Sequence, residues 1–571
     1  MNLPRVSLLL ASLFGVGLVL AWSAPKSAVA EAPRRPNILL IVADDLGYSD
    51  IGAFGGEIRT PNLDRLAKRG LRLTGFYVSP TCSPTRAMLL TGSDNHKVGQ
   101  GTMGELITPE QRGVPGYEGY LNSRAATLAE RLAMLGYATL MSGKWHLGKA
   151  PGQLPSDRGF NNSFALLQGD HNHFGYDQSE SFRKAGAPRD YRLNGQPVMF
   201  PHGVYGDDYF TTKLLEFLGT DRSRRPFFAY LAFSGPHWPL QAPPEDIARY
   251  RHRYDAGPKV VQQARLSRMK SLGLIDRDTT AFPANQRAWD ALSDGERMFE
   301  ARKMEIHAAM VDRLDQNVGR IVDYLERTGQ LENTIIVFLS DNGADGYALD
   351  RPFDLPRPDR IEGTAIDNSL QSIGTARSYI SLGGLWAQVS STPLRGVKLE
   401  MTEGGIRAPA IVAGPGVRSG GVNTTVTHVT DLVPTILDFV HASAERIVGG
   451  RAVIPPDGRS LADLLAGRAA SVRSQADVVG WELLYRRGVR KGRWKAVFQP
   501  SIIPLFSEQT PLDQVRWQLF DLQRDPGETH DLAAAKPHQL AVMVRDWNRY
   551  AGSNSVVLPG GAIAGEKGKR R

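Results

Sequence analysis

The 571-residue chain has one cysteine, and it stands in Cys82-Ser83-Pro84-Thr85-Arg86. A lone thiol makes no intrachain disulfide, so its position points to chemistry rather than to a covalent framework. Apolar residues continue through Ala87-Met88-Leu89-Leu90 to Thr91-Gly92. This pattern predicts a short helix with Ser83 as N-cap, Pro84 at the first helical position and Gly92 just past the end. Cys82 then sits ahead of a helix N-terminus, where unpaired N–H groups favour negative charge. Arg86, on the first turn, can point to the same spot. A second constellation consists of hard oxygen donors. Asn37-Ile38-Leu39-Leu40-Ile41-Val42 runs into Ala43-Asp44-Asp45-Leu46-Gly47, and Thr334–Leu339 runs into Ser340-Asp341-Asn342-Gly343. Each pair alone reads as a turn or a helix cap. Together, at the ends of two strands, they supply four oxygen ligands with no sulfur or imidazole, which selects Ca²⁺ or Mg²⁺ over zinc.

The elements that must carry these residues alternate between strands and helices. The Asn37–Val42 and Thr334–Leu339 runs are continuously apolar, as buried parallel strands are. Tyr137–Met141 and Phe227–Phe233 read as further strands. Helices are predicted from Thr60 to Ala67, from Arg124 to Leu135 and from Val311 to Leu325. The rhythm predicts an α/β fold with a large mixed, mostly parallel sheet sandwiched by helices. In such sheets ligands collect beyond the carboxyl ends of strands. Two stretches read as long insertions, Pro243–Glu296 (polar, with little period) and Tyr347–Ser391 (rich in Gly, Pro and Ser). After about Ala470 short strand-like runs, Val478–Trp481, Trp494–Phe498 and Gln518–Leu522, precede a closing helix from Gln539 to Tyr550. They predict a smaller C-terminal α+β domain with a short antiparallel sheet. The expected division is 1–30, 31–470 and 471–571.

Composition is that of a globular protein, with 42% apolar and 22% charged residues. The net charge of +9 includes the basic tail Lys567-Gly568-Lys569-Arg570-Arg571. No long basic run or aromatic-basic module indicates a nucleic-acid partner. Arg5 precedes a 16-residue apolar run from Val6 to Ala21, shorter than the roughly 20 residues a membrane span needs, and Ala28-Val29-Ala30 has small-x-small form. This predicts a signal peptide cleaved near Ala30, export to a bacterial periplasm or the exterior, and no stable membrane anchor. Export without disulfides suits a chain long enough to bury a large core.

Two long motifs resemble the signatures of the sulfatase family, in the alkaline phosphatase superfamily: Pro80–Gly92 around the cysteine, and Gly136-Tyr137-Ala138-Thr139-Leu140-Met141-Ser142-Gly143-Lys144-Trp145-His146. Asn37–Gly47, Ser234-Gly235-Pro236-His237-Trp238-Pro239, Ser340–Gly343, Leu394–Lys398 and Thr402–Pro409 are also similar to family segments. The resemblance extends from Pro36 to Tyr550 and is closest to bacterial arylsulfatases, including Thr91–His96. It implies a sulfuric ester hydrolase acting on sulfate monoesters, aryl sulfates foremost. It implies that Cys82 is oxidised to formylglycine (3-oxoalanine) by a maturing enzyme that reads Cys82–Arg86. One hydroxyl of the aldehyde hydrate would attack sulfur to give a covalent sulfo-enzyme, and the second would expel sulfate. Asp44, Asp45, Asp341, Asn342 and the residue-82 group would hold one cation per subunit, Ca²⁺ before Mg²⁺. By the same resemblance Arg86 would bind the hydrate oxygen on the metal side, and Lys144 and Lys398 would neutralise sulfate oxygens. His237 would protonate the leaving oxygen and His146 would hydrogen-bond and help deprotonate the hydrate.

Other classes fit less well. A cysteine phosphatase needs Cys-x5-Arg, whereas position 88 is Met. A phosphonate or phosphate ester hydrolase of the same superfamily can use similar groups, and Lys144-x-His146 favours sulfate over it. An inactive sulfate-ester-binding protein would follow if Cys82 stayed a thiol. His171, His173, Tyr379 and Trp386 read as packing or loop residues as readily as pocket walls.

Overall fold

The two apolar runs that end in acidic pairs lie side by side at the centre of one sheet. In a computed structural model, which describes residue 1 and residues 35–558 except 185, 187, 221–224, 348–359, 362–363 and 501–511, Asn37–Ala43 pairs in parallel with Thr334–Ser340 on one side and Phe227–Ala232 on the other. The predicted signal segment and basic tail lie outside the described residues, as does much of the second insertion. Ten strands make the sheet, in the order Gly421–Asn423, Gly70–Leu73, Ala410–Ala413, Thr334–Ser340, Asn37–Ala43, Phe227–Ala232, Ala138–Lys144, Asn162–Leu166, Tyr191–Leu193 and Gln196–Val198. The five strands from Thr334–Ser340 to Asn162–Leu166 run parallel. Antiparallel pairing enters at Ala410–Ala413 and at Tyr191–Leu193.

Both faces are covered, and for that reason the central strands are mostly apolar, with polar residues chiefly at their ends. Leu39 and Ile41 face a core shared with the 34-residue helix Asp294–Arg327 and the helix Gly206–Thr220. Ile38, Leu40 and Val42 face the opposite core with the helices Cys82–Thr91, Leu128–Met134 and Leu432–Phe439. The C-terminal strands Val478–Leu483, Arg486–Lys491, Trp494–Phe498 and Gln518–Asp521 form a separate antiparallel sheet. The closing helix Pro537–Ser553 seats Met543 and Trp547 against Val489, Ala496 and Leu519 of that sheet.

Several local expectations change. The helix predicted from Ser83 begins at Cys82, with Thr81 at the N-cap in extended conformation and no side-chain cap bond. Cys82 is therefore the first residue of the helix rather than the residue before it. Gly92 ends the helix as expected, at φ +73°, its N–H donating to the Met88 carbonyl. The helix predicted from Arg124 starts at Leu128, because Thr127 and Glu130 form a capping box. The stretch from Pro243 to Glu296 carries three helices, Pro244–Ala248, Pro258–Ser271 and Gln286–Asp290, among the described residues. Its period is obscured because the inward face of Pro258–Ser271 includes Val261, Arg265 and Met269. Arg265 is fully buried and paired with Asp50 at 2.7 Å and Glu57 at 2.7 Å.

Candidate active site

The site lies where the parallel strands end. Asp44 and Asp45 follow Asn37–Ala43, Asp341 and Asn342 follow Thr334–Ser340, and Lys144 is the last residue of Ala138–Lys144 with His146 two residues on. His237 follows Phe227–Ala232. Strand pairing alone thus gathers residues separated by up to 300 positions in sequence. Cys82 enters from above, on the first turn of its helix. Lys398 comes from the loop ahead of the short helix Glu403–Ile406. That loop is held by the Lys398 N–H, which donates to the Ala344 carbonyl at 3.0 Å, and by the Gly343 N–H, which donates to Gly405 O at 3.2 Å. A Cβ on Gly343 would stand 1.8 Å from the Gly404 carbonyl oxygen, so only glycine allows this approach.

Three carboxylates meet three cations in an almost fully buried cluster. Lys144 Nζ donates to Asp44 Oδ2 at 2.6 Å, and Lys398 Nζ donates to Asp45 Oδ2 at 2.8 Å. Arg86 Nε and Nη2 both donate to Asp341 Oδ2, at 2.9 and 2.7 Å, and its Nη1 donates to the Lys144 carbonyl at 3.0 Å. Nη2 also lies 3.6 Å from Asp44 Oδ1. Cys82 Sγ lies 3.5 Å from Asp44 Oδ1 and 3.9 Å from Asp45 Oδ1. Arg86, Asp44 and Asp341 are fully buried and Cys82 is 1% exposed. Buried charges persist only when paired this closely.

The electrostatics follow from that crowding. Burial pushes the Cys82 thiol well above its usual value; Lys144 and Lys398 pull it down, and Asp341 and Asp44 push it up again. The thiol is thus held protonated and is a poor nucleophile in its own right. Burial and the neighbouring Asp341 carboxylate raise Asp44 against the pull of Lys144. Burial opposes ionisation of Asp341 too, but Arg86 and the two lysines hold its carboxyl below the usual range. Burial, then Lys398 and Lys144, press His237 well below the usual imidazole value. Its Nδ1 lies 2.7 Å from the Trp238 carbonyl, which only accepts, so Nδ1 carries the proton. Nε2 then faces Asp45 Oδ2 at 3.5 Å with a lone pair. Burial also lowers His146, against the pull of Glu105. His146 Nε2 lies 3.3 Å from Glu105 Oε2, and its Nδ1 is buried without a partner among the described residues.

Asp44, Asp45, Cys82 and His237 form a cluster that could hold a metal ion, with a thiol and an imidazole beside the carboxylates. One ligand atom from each of Asp44, Asp45, Cys82 and His237 lies within 4.8 Å of every other, all four residues buried. Asn342 Nδ2 donates to Asp45 Oδ1 at 2.6 Å, which leaves Asn342 Oδ1 buried without a partner. Turning the amide over would put that oxygen beside the Asp45 carboxylate, an arrangement that needs a cation between them. Three carboxylates and an amide oxygen form a hard donor set.

A cavity of about 240 Å³ opens above Cys82, lined by His146, His237 and Lys398 from the predicted set. Its other walls include Met103, Glu105, Leu106, Trp238, Asp345 and Tyr347. The sequence reading missed Glu105, which pairs with His146, and Asp345, whose carboxyl is pushed up to about 6 by burial against the pull of Lys398. Asp345 stands three residues past Asn342, so proximity to the acidic pair was the available signal. Asp170 and Arg189, paired at 2.6 Å, also line the cavity. His171 and His173 are structural: His171 bridges the Tyr191 hydroxyl at 2.9 Å and Ser234 Oγ at 2.6 Å, and His173 Nε2 donates to the His237 carbonyl at 3.0 Å. Trp386 lies in the core, while Tyr379 packs on Trp238 and donates to Asp170 Oδ2 at 3.2 Å.

This arrangement belongs to a known class of hydrolase. Residues 36–442 match the sulfatase family model, and the chain is a member of that family, a sulfuric ester hydrolase with the sheet architecture of its solved members. It is 42% identical over 536 residues to a Schizosaccharomyces pombe protein described as an uncharacterized sulfatase, covering 92% of this chain and 95% of that one. It is 36% identical over 471 residues to an arylsulfatase of Klebsiella aerogenes, covering 81% and 97% respectively. Among solved structures it is similar to Ps i-CgsB in complex with k-i-k-neocarrahexaose, with a TM-score of 0.63 at 25% identity, over 90% of this chain and 93% of that one.

Proposed function

We propose that this sulfatase hydrolyses aryl sulfate monoesters, using a formylglycine made from Cys82 and a bound divalent cation, Ca²⁺ in preference to Mg²⁺. The carrying observation is the placement of Cys82. Its Sγ sits within 3.9 Å of two carboxylates, beneath a cavity that also receives Lys398 and both histidines, yet the thiol is held protonated. A side chain so placed is suited to become something other than a thiolate. Hydrated, the residue-82 aldehyde offers two hydroxyls on one carbon, one to attack sulfur and one to expel sulfate. Asp44, Asp45, Asp341 and Asn342, with the residue-82 group, would hold the cation. When bound, it would favour the ionised hydroxyl and draw on a sulfate oxygen.

The remaining residues take their work from their positions. Lys144 and Lys398 present ammonium groups that can move from Asp44 and Asp45 to sulfate oxygens, where negative charge develops. When Lys398 turns from Asp45 to the sulfate, Asp45 Oδ2 is left 3.5 Å from His237 Nε2 and favours its protonation from solvent, and the imidazolium can then deliver that proton to the leaving oxygen. His146, with Nε2 engaged by Glu105, has Nδ1 to accept a proton from the second hydroxyl. Arg86 fixes Asp341 and so the geometry of the cation site. The apolar rims of Leu106, Trp238 and Tyr347 support an aromatic leaving group, as does the similarity to an arylsulfatase.

The Cys82–Arg86 segment is buried in the folded chain, so a formylglycine-generating enzyme that reads it would act before folding. Export directed by residues 1–30 belongs to the same reading, and among the described residues no helix is long and apolar enough to cross a membrane. The test is the mass of the tryptic peptide carrying residue 82 from active protein. A peptide lighter by the difference between CH₂SH and CHO, reactive with a hydrazine probe, is expected. An unmodified thiol in fully active protein would refute the mechanism. Preference for an aryl phosphonate over an aryl sulfate would refute the substrate assignment.

A further inference from the structure

Asp345 is a cavity-wall carboxylate whose orientation is fixed while one of its oxygens stays unused among the described residues. It is 5% exposed, and its Oδ1 accepts the Tyr347 N–H at 2.9 Å. Its Oδ2 has no hydrogen-bond partner among the described residues. Lys398, the nearest cation, gives its ammonium group to Asp45 instead. The Trp238 indole N–H is near enough to lower the Asp345 pKa as a hydrogen-bond donor does, but it falls short of hydrogen-bond geometry to Oδ2, which keeps room for a bound donor. A buried acceptor without a partner carries a desolvation cost that a bound donor removes. A carboxylate here would repel a sulfate oxygen, so it suits the side of the cavity that holds the leaving group, beside His237 and Trp238. The cavity, at about 240 Å³, can receive a single ring and its sulfate.

We propose that Asp345 is a specificity-determining residue that accepts a hydrogen bond from a hydroxyl next to the sulfate ester, so that the preferred substrates are single-ring aryl sulfates of the catechol type. This rests on the aryl sulfate reading above. The apolar rim favours a flat ring over a saccharide carrying the same neighbouring hydroxyl. The carboxylate disfavours an anionic substituent at that position.

The test compares kcat/KM, followed by sulfate release, for catechol monosulfate, whose neighbouring hydroxyl keeps its proton at neutral pH, with that for phenyl sulfate, which lacks the hydroxyl. The wild type, Asp345→Asn and Asp345→Ala are assayed, and the ratio between substrates cancels losses common to both. Asp345→Asn keeps an acceptor for the Tyr347 N–H and replaces Oδ2 by a donor, so it tests the interaction with the least risk to the fold. The catechol-to-phenol ratio is expected to fall roughly ten- to hundredfold in both variants, the range for a hydrogen bond to a charged group. A ratio unmoved in both variants, with the wild type active on both esters, overturns the role of Asp345 alone. A wild type inactive on both esters overturns the aryl sulfate reading and this inference with it. Glucose 3-sulfate, assayed by sulfate release, is expected to be the poorer substrate; if it exceeds catechol monosulfate, the catechol assignment falls.

Discussion

Gly169 has no side chain to contribute to catalysis, yet its replacement by alanine should reach the chemistry through His146. A Cβ built on Gly169 stands 2.5 Å from His146 Cε1, 2.9 Å from Nε2 and 3.0 Å from Nδ1, where ordinary contact begins at 3.4 Å. The imidazole must therefore withdraw by roughly 1 Å, because packed interiors do not compress. His146 is 8% exposed, with Nε2 on Glu105 and a positive φ of 55°, so the ring has little freedom to adjust. Overpacking of this kind costs about 1–3 kcal/mol of stability. A misplacement of about 1 Å in a reacting group costs on the order of 100-fold in rate. If His146 acts on the residue-82 hydrate, Gly169→Ala should lower kcat for 4-nitrophenyl sulfate by about that factor with a smaller change in KM. Urea unfolding should show only the modest loss of stability. The decisive control is the His146→Ala background, where the added methyl group meets no ring and should cost almost nothing more. A kcat close to wild type in Gly169→Ala, or the same 100-fold loss in the absence of His146, would refute the coupling.

Two further predictions concern buried charge. Lys144→Met removes the partner that lies 2.6 Å from the fully buried Asp44. It should destabilise the protein by about 3–5 kcal/mol in urea unfolding, with millimolar Ca²⁺ restoring part of the loss; an unchanged midpoint without Ca²⁺ would contradict the assigned pairing. His96 lies between Asp94 Oδ1 at 2.9 Å and Glu482 Oε2 at 3.2 Å. Burial works against its protonation, but these two carboxylates raise it from 6.5 to about 9. Because the folded value is the higher, its stabilisation is complete below about pH 6.5 and is lost as pH rises through 9. Wild-type unfolding free energy should drop by about 3 kcal/mol across that window, and His96→Gln should abolish the drop; identical pH profiles would rule it out.

Legibility from sequence tracked how local the cause of each element is. Asn37–Ala43 and Thr334–Ser340 could be read because strands covered on both faces must be mostly apolar, with polar residues chiefly at their ends. Gly92 could be read because a helix end in the left-handed region favours glycine. Arg486–Lys491 was not read as a strand, because four of its six residues are basic. It is the second strand of its sheet, and its Arg487 guanidinium stacks on Phe498 and Trp547, an environment supplied by distant residues. The Pro258–Ser271 helix was hidden for a similar reason: its buried arginine is compensated by Asp50 and Glu57, some 200 positions away.

The sequence by itself determined the chemical inventory: one cysteine at the head of a helix, acidic pairs at two strand ends, Lys144 and His146 in one long motif, and His237 and Lys398 in two shorter segments. These are properties of residue type and short spacing, and side-chain chemistry travels with the residue. Tertiary structure alone decided which groups meet. It set Lys144 on Asp44 and Lys398 on Asp45, gave two of the Arg86 donors to Asp341, placed Glu105 behind His146, and left one oxygen of Asp345 without a partner among the described residues. Whether a buried charge is paired or left open depends on distances of a few ångströms between segments far apart in the chain, and only the folded sheet fixes those distances.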